Sequence, residues 1–191
     1  MVTLIQSQSK ISLEEFLLLP ETKPASEYVD GQVYQKAMPQ GKHSTLQTRF
    51  GNRINQVGEP QKLAFAFSEL RCTFGGRSIV PDIAVFEWSR ILLNADGEVE
   101  NRFKIVPDWT IEILSPDQNP TRVINNILFC LNHNAKLGWL IDPEEKLVLV
   151  FKPQQQPEIK ENEDVLPVLD VLSDLQLSAA NLFELLSFDR A

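Results

Sequence analysis

Two stretches of this chain, IVPDIAVFEW and VPDWTIEILSP, each set a Val-Pro-Asp triplet ahead of an apolar run, and the second also carries Glu112 inside WTIEIL. A carboxylate in a buried strand is costly to leave without a partner. Asp108 is nearest in sequence, but four residues of strand span about 13 Å. Oxygens that share one hard cation lie about 2.0–2.6 Å from it, so a continuous strand keeps Asp108 and Glu112 from sharing an ion. Asp82 opens the IAVF strand and can lie across the sheet from Glu112. Carboxylates at neighbouring strand positions repel unless one is protonated or a cation neutralises both. Two readings stand side by side: Asp82 and Glu112 form a divalent metal site, or Glu112 pairs with a buried arginine such as Arg71.

The elements that must position these acids can be read along the chain. Ser12-Leu-Glu-Glu15 is a capping-box pattern, and Leu13, Phe16 and Leu17 predict a short helix that stops at Pro20. EYVDGQVYQ predicts a hairpin around Asp30-Gly31. After MPQG, the spacing of Leu46, Phe50, Ile54 and Val57 predicts an amphipathic helix ending at Gly58. LAFAF, LRCTF and IVPDIAVFEW predict a β-meander, and LNADGEVENRF a surface excursion. WTIEIL is apolar enough for a strand covered on both faces. Val123, Ile124, Ile127, Leu128 and Leu131 mark another helix, LGWLID and KLVLVF two more strands, QQQPEIKENED a polar loop, and SAANLFELL a closing helix capped by Ser178. Without repeat or linker, residues 1–191 are expected to form one α/β domain around a central mixed sheet.

Composition narrows the function classes. No apolar run approaches the ~20 residues of a membrane span, and MVTLIQSQSK lacks the apolar core of a signal peptide, so no membrane association and a cytoplasmic location are expected. Cys72 and Cys130 have no metal-ligand spacing and are expected to be buried thiols. The formal charge of −8 opposes a nucleic-acid partner at first sight. From Asp142 onward, however, 11 acidic residues face 4 basic ones, whereas between Gly31 and Pro81 there are 7 basic and 2 acidic residues. A solvated mixed-charge face competes with a nucleic-acid surface as the explanation of that basic stretch. His133, near a helix C-terminus, and Trp109, Trp139 and Phe86, within strands, are expected to serve structure.

The ordered set EEFLLLPE, EYVDGQV, PDIAVF, IEILSP and GWLIDP resembles the Uma-type restriction-endonuclease branch of the PD-(D/E)XK nuclease superfamily over nearly the whole chain. The resemblance implies a restriction-endonuclease-like α+β fold, with a central mixed sheet flanked by helices. It also implies Mg²⁺ (or Mn²⁺) held by Asp82 and Glu112, with Glu27 of EYVDG as a third acid, and hydrolysis of DNA phosphodiesters by a metal-activated water. Lys42, His43 and Arg49 are the candidate DNA contacts, the first two near a helix N-terminus that favours phosphate. Many proteins with this chemistry pair as homodimers so that two sites address two strands.

The lysine that the wider superfamily keeps two residues after the glutamate is Leu114 here. In the Uma-type branch it moves to the following helix, where this chain has Asn126, with Arg122 one turn earlier on the same face. Asparagine supplies no charge, and arginine, charged at all accessible pH, is a poor general base. Arg122 and Asn126 are therefore expected to contact phosphate or water. The alternative is a nuclease fold that has lost catalysis and serves as a DNA- or protein-binding module.

Overall fold

The computed structural model describes residues 11–116 and 118–188, so the opening MVTLIQSQSK lies outside the described residues. The first helix, α1 (Leu13–Leu17), begins with both halves of the expected capping box, Ser12 and Glu15 each accepting from the other's backbone N–H. Strands β1 (Ser26–Val29) and β2 (Gln32–Gln35) form the expected hairpin. Its turn needs φ of 52° at Asp30 and 85° at Gly31, values that Asp and Gly tolerate best. A connection through Lys36 then leads into the long amphipathic helix α2 (Gly41–Gly58), which buries Leu46, Phe50 and Ile54.

The expected meander is divided between two sheets. Strand β3 (Ala64–Ser68) pairs with β6 (Ile83–Glu87), whereas β4 (Cys72–Phe74) and β5 (Arg77–Ile79) form a hairpin that leaves that sheet. This hairpin joins β1 through Tyr28 and Ser78, giving a four-stranded antiparallel sheet in the order β2-β1-β5-β4. Gly75-Gly76 sets a local turn but carries no information on which neighbour the hairpin meets. The excursion that follows is mostly exposed, yet Phe103 is buried in a cluster with Cys72, Phe86 and Cys130.

Strand β7 (Trp109–Ile113), buried at all five positions, helix α3 (Pro120–Asn132) and β8 (Leu137–Asp142) make a β-α-β unit, and β7/β8 is the parallel pair of the larger sheet. Strand β9 (Leu147–Phe151) follows, and then β10 (Glu158–Glu161). The polar sequence around β10 is thus a strand, not a loop: it pairs with β9 at the sheet's edge, where Glu and Lys face water and discourage further pairing. Helix α4 (Ala179–Glu184) closes the chain under a capping box of Ser178 and Asn181. The six-stranded mixed sheet runs β10-β9-β8-β7-β6-β3. On it, α2 covers Trp109, Ile111 and Trp139, with Phe50 stacked on Trp139, and α3 covers Leu140 through Val123 and Ile127. Among the described residues no helix is long and apolar enough to cross a membrane.

Candidate active site

Strand register brings the two acids together. β6 and β7 are antiparallel with Ile83 opposite Ile111, so one step further along the ladder sets Asp82 across from Glu112. Asp82 is 1 % exposed and its Oδ2 accepts from the Ile113 backbone N–H at 2.7 Å, which locks the carboxylate onto β7. The backbone carbonyl of Asp82 accepts from Gln47 of α2 at 2.8 Å. Pro81 removes a ladder N–H where β6 begins, and the strand therefore starts beyond the aspartate.

Glu27 of β1 and Asn126 of α3 close the other side. Glu27 accepts from the Val80 N–H at 2.8 Å through Oε1 and from Asn126 Nδ2 at 3.0 Å through Oε2, so the third acid and the residue at the family-lysine position are in direct contact. Helix α3 can approach the sheet this closely because Gly138 of β8 lies beneath it; a Cβ there would collide with Ile127. Glu27, Lys36, Glu112, Arg122 and Asn126 line an open pocket of about 370 Å³. Arg122 is exposed at its rim with its guanidinium 4.2 Å above the Tyr34 ring.

The partner of Glu112 is neither reading's first choice. Arg71 pairs with Glu21 at 2.6 Å and with the Ser26 carbonyl. The cation among the acids is Lys36, whose Nζ lies 2.6 Å from Asp82 Oδ1, 3.4 Å from Glu112 Oε2 and 2.7 Å from the Val80 carbonyl. No local signal marks it, because a lysine between an edge strand and a proline turn is ordinary.

His43 is also relocated. It is buried rather than displayed for DNA, with Nε2 3.4 Å from Asp82 Oδ1 and Nδ1 3.2 Å from Ser115 Oγ, so it backs the acid pair. Lys42 is exposed and paired with Glu144 at 2.8 Å. Arg49 donates to the Leu185 and Ser187 carbonyls and lies over Phe188, fastening the C-terminal segment to α2. With Arg77 on Asp30 and Arg71 on Glu21, much of the basic stretch is neutralised by its own surface. Paired charges of this kind leave less positive field for phosphate than their number in the sequence suggests.

Electrostatics separate the acids. Burial would raise the pKa of Asp82, but the Lys36 ammonium and the His43 ring overcome it and hold this carboxyl well below the usual range. Burial holds Glu112 well above the usual range despite Lys36, with the negative charges of Asp82 and Glu27 adding to it. Burial works against the charge of Lys36 and is outweighed by Asp82, Glu112 and Glu27, so the ammonium is retained beyond the ordinary lysine range. Glu112 Oε1 and Asn126 Oδ1 are buried without a hydrogen-bond partner among the described residues. Three carboxylates around one ammonium leave two uncompensated charges if all ionise, and a divalent cation would balance them. The donor set of hard carboxylate oxygens suits Mg²⁺ or Mn²⁺. With Lys36 drawn between Asp82 and Glu112, the described residues contain no ready-made set of three His, Cys, Asp or Glu side chains around an ion position.

Comparison with known proteins agrees with this architecture. A crystal structure of a "putative nuclease" from Anabaena variabilis ATCC 29413 superposes with a TM-score of 0.91 at 56 % identity, over 93 % of this chain and 99 % of that one. No match is found among curated proteins. The Uma2 family, described as "Putative restriction endonuclease", matches residues 13–180. With the ordered motifs on β1, β6, β7 and β8 and the acids meeting at the end of the β6/β7 ladder, the chain belongs to the Uma2 family.

Proposed function

We propose that this chain is a metal-dependent DNA endonuclease of the PD-(D/E)XK type, with Mg²⁺ or Mn²⁺ held by Asp82 and Glu112 and with Glu27 beside them. The observation that carries the reading is the acid cluster itself: Asp82 locked onto β7, Glu112 with a free buried oxygen, and Glu27 near enough to raise its pKa. When bound, the divalent ion supplies Lewis acidity toward the phosphate and lowers the pKa of a water. The protein's part is orientation and exclusion. Asp82 is fixed by the Ile113 N–H and backed by His43, and Glu112 is held on the buried strand β7 where its side chain lines the pocket. Arg122 stands at the pocket rim, where a guanidinium can engage phosphate oxygens in a bidentate manner.

A second reading, a nuclease fold kept for binding alone, has one observation in its favour. Asn126 is buried and its amide is engaged by Glu27, so α3 delivers no positive charge to the acids. Incubation with supercoiled plasmid DNA and Mg²⁺ or Mn²⁺, beside an Asp82→Ala control, separates the two. Nicking that disappears in the control is expected. Equal nicking by both proteins removes the acids from the mechanism, and binding of DNA and Mn²⁺ without any nicking favours the second reading.

A further inference from the structure

We propose that Lys36 is the catalytic lysine of this chain, delivered to the acids from the connection between β2 and α2 rather than from β7 or α3. The inference rests on the metal-dependent reading above and identifies a residue that reading does not require. Both positions where the resemblance leads one to look for a lysine are neutral: Leu114 is the first residue beyond β7, and Asn126 is committed to Glu27. Lys36 reaches the same place from another element. Its side chain is 10 % exposed, its Nζ contacts both acids, and it lines the pocket with Asn126 and Arg122.

Geometry distinguishes Lys36 from the other cations nearby. Arg122 is outside, at the rim and stacked on Tyr34, whereas the Lys36 ammonium lies at the bottom among the carboxylates. The Val80 carbonyl, 2.7 Å away, also anchors it at the head of the Val-Pro-Asp triplet, so its position is tied to the backbone that carries Asp82. A compact ammonium on a four-carbon stem can turn between carboxylate and phosphate oxygens without leaving the pocket. In hydrolysis a water oxygen forms a bond to phosphorus as the bond to the leaving sugar oxygen breaks. One water proton passes to solvent, and the leaving oxygen takes a proton from solvent. Lys36 remains charged throughout, and its contribution is to stabilise the negative charge that grows on the non-bridging phosphate oxygens.

A counter-ion with no catalytic part would occupy the same position, and the two roles diverge on removal of the charge. In the metal-free protein Lys36 competes with any cation for Asp82 and Glu112, so Lys36→Met is expected to bind Mn²⁺ about tenfold more tightly in calorimetry, the effect of about 1.4 kcal/mol of lost competition. If Lys36 is catalytic, the same variant nicks supercoiled DNA about 10²–10⁴-fold more slowly in saturating Mn²⁺. Adding Asn126→Lys to Lys36→Met, so that the charge enters the same pocket from α3, should recover at least about tenfold of the lost rate.

Tighter Mn²⁺ binding with undiminished nicking would reduce Lys36 to a counter-ion and overturn the proposal. A slow double variant that binds Mn²⁺ normally would also overturn it. Circular dichroism checks that each variant is folded, and Lys36→Gln repeats the comparison if Lys36→Met melts below the assay temperature. Wild-type nicking that survives Asp82→Ala, or a wild-type protein that neither binds Mn²⁺ nor nicks, defeats the metal-dependent reading itself and Lys36 with it. Asp82-dependent nicking that is indifferent to Lys36 defeats the Lys36 proposal alone.

Discussion

The two Val-Pro-Asp triplets place an aspartate at each end of the β6/β7 ladder, and the two fare differently. Asp108 is fully buried, with Arg90 at 2.8 Å and Lys136 at 3.5 Å on Oδ1 and the Glu87 N–H at 2.9 Å on Oδ2. Its backbone carbonyl accepts from Lys136 and Leu137 at the start of β8. Lys136 also pairs with Glu87 at 2.6 Å, so two cations balance two carboxylates, and the group splices three strands. At Asp82 the balance fails, with one ammonium for three carboxylates and an oxygen on Glu112 that has neither a hydrogen bond nor an ion pair among the described residues. Burial of an acid therefore says little by itself; the charge left uncompensated around it marks the candidate site.

Exchanging each aspartate for asparagine tests that contrast most severely. Asp82→Asn should lower the rate of DNA nicking by at least about 10³-fold while leaving the fold intact, since its amide can still accept from the Ile113 N–H. Asp108→Asn should do the converse. It weakens attraction to partly exposed Arg90 and Lys136 and perturbs the buried side-chain acceptor of the Glu87 backbone N–H, which together should cost about 1–3 kcal/mol in denaturant melts. Nicking measured well below its melting point should stay within about tenfold of wild type. An Asp108→Asn protein that is stable but inactive would erase the distinction between the two ends.

The histidines offer a smaller version of the same contrast. His43 sits behind Asp82 with Ser115 on its other nitrogen, whereas His133 is bound to the Phe129 carbonyl and packs on Phe74. Groups that orient a metal-binding carboxylate are worth about 10–100-fold in metal affinity. Calorimetric titration should accordingly find Mn²⁺ binding weakened by about that factor in His43→Ala and unchanged in His133→Ala. Equal affinity in both would leave His43 as packing.

Much of the frame was legible because it rests on local chemistry. The α1 and α4 caps, the Asp30-Gly31 turn and the periodicity of α2 and α3 require no knowledge of distant partners. Strand partnership did require it, so the β4/β5 hairpin looked like part of a meander although it pairs with β1. β10 looked like a loop because an edge strand facing water carries the composition of one. In the site, Asp82 and Glu112 were visible as acids in apolar runs, and the β6/β7 register sets them opposite one another. Lys36 and His43 were not visible in those roles. A lysine in a turn and a histidine in a helix's first turn are marked by nothing until β1, β6 and α2 converge.

Glu112 and Asp82 also differ in the sign of their dependence on pH. Asp82, held below its unfolded pKa, contributes stability that is present above about pH 4 and is lost as pH falls through the folded value. Glu112, held above its unfolded pKa of about 4.5, behaves oppositely: folding is favoured at acid pH, and that contribution is lost as pH rises from 4.5 through the folded value. In EDTA, Glu112→Gln should therefore match wild type near pH 4.5 and melt about 2–4 °C higher at pH 8, where the natural side chain is pressed to ionise beside Asp82 and Glu27. Saturating Mn²⁺ should erase the difference by stabilising the wild-type carboxylate and not the amide. A Glu112→Gln protein that is less stable than wild type by the same margin at both pH values would mean that Lys36 alone keeps Glu112 ionised in the metal-free protein. The two uncompensated charges that point to a divalent ion would then be carried without one.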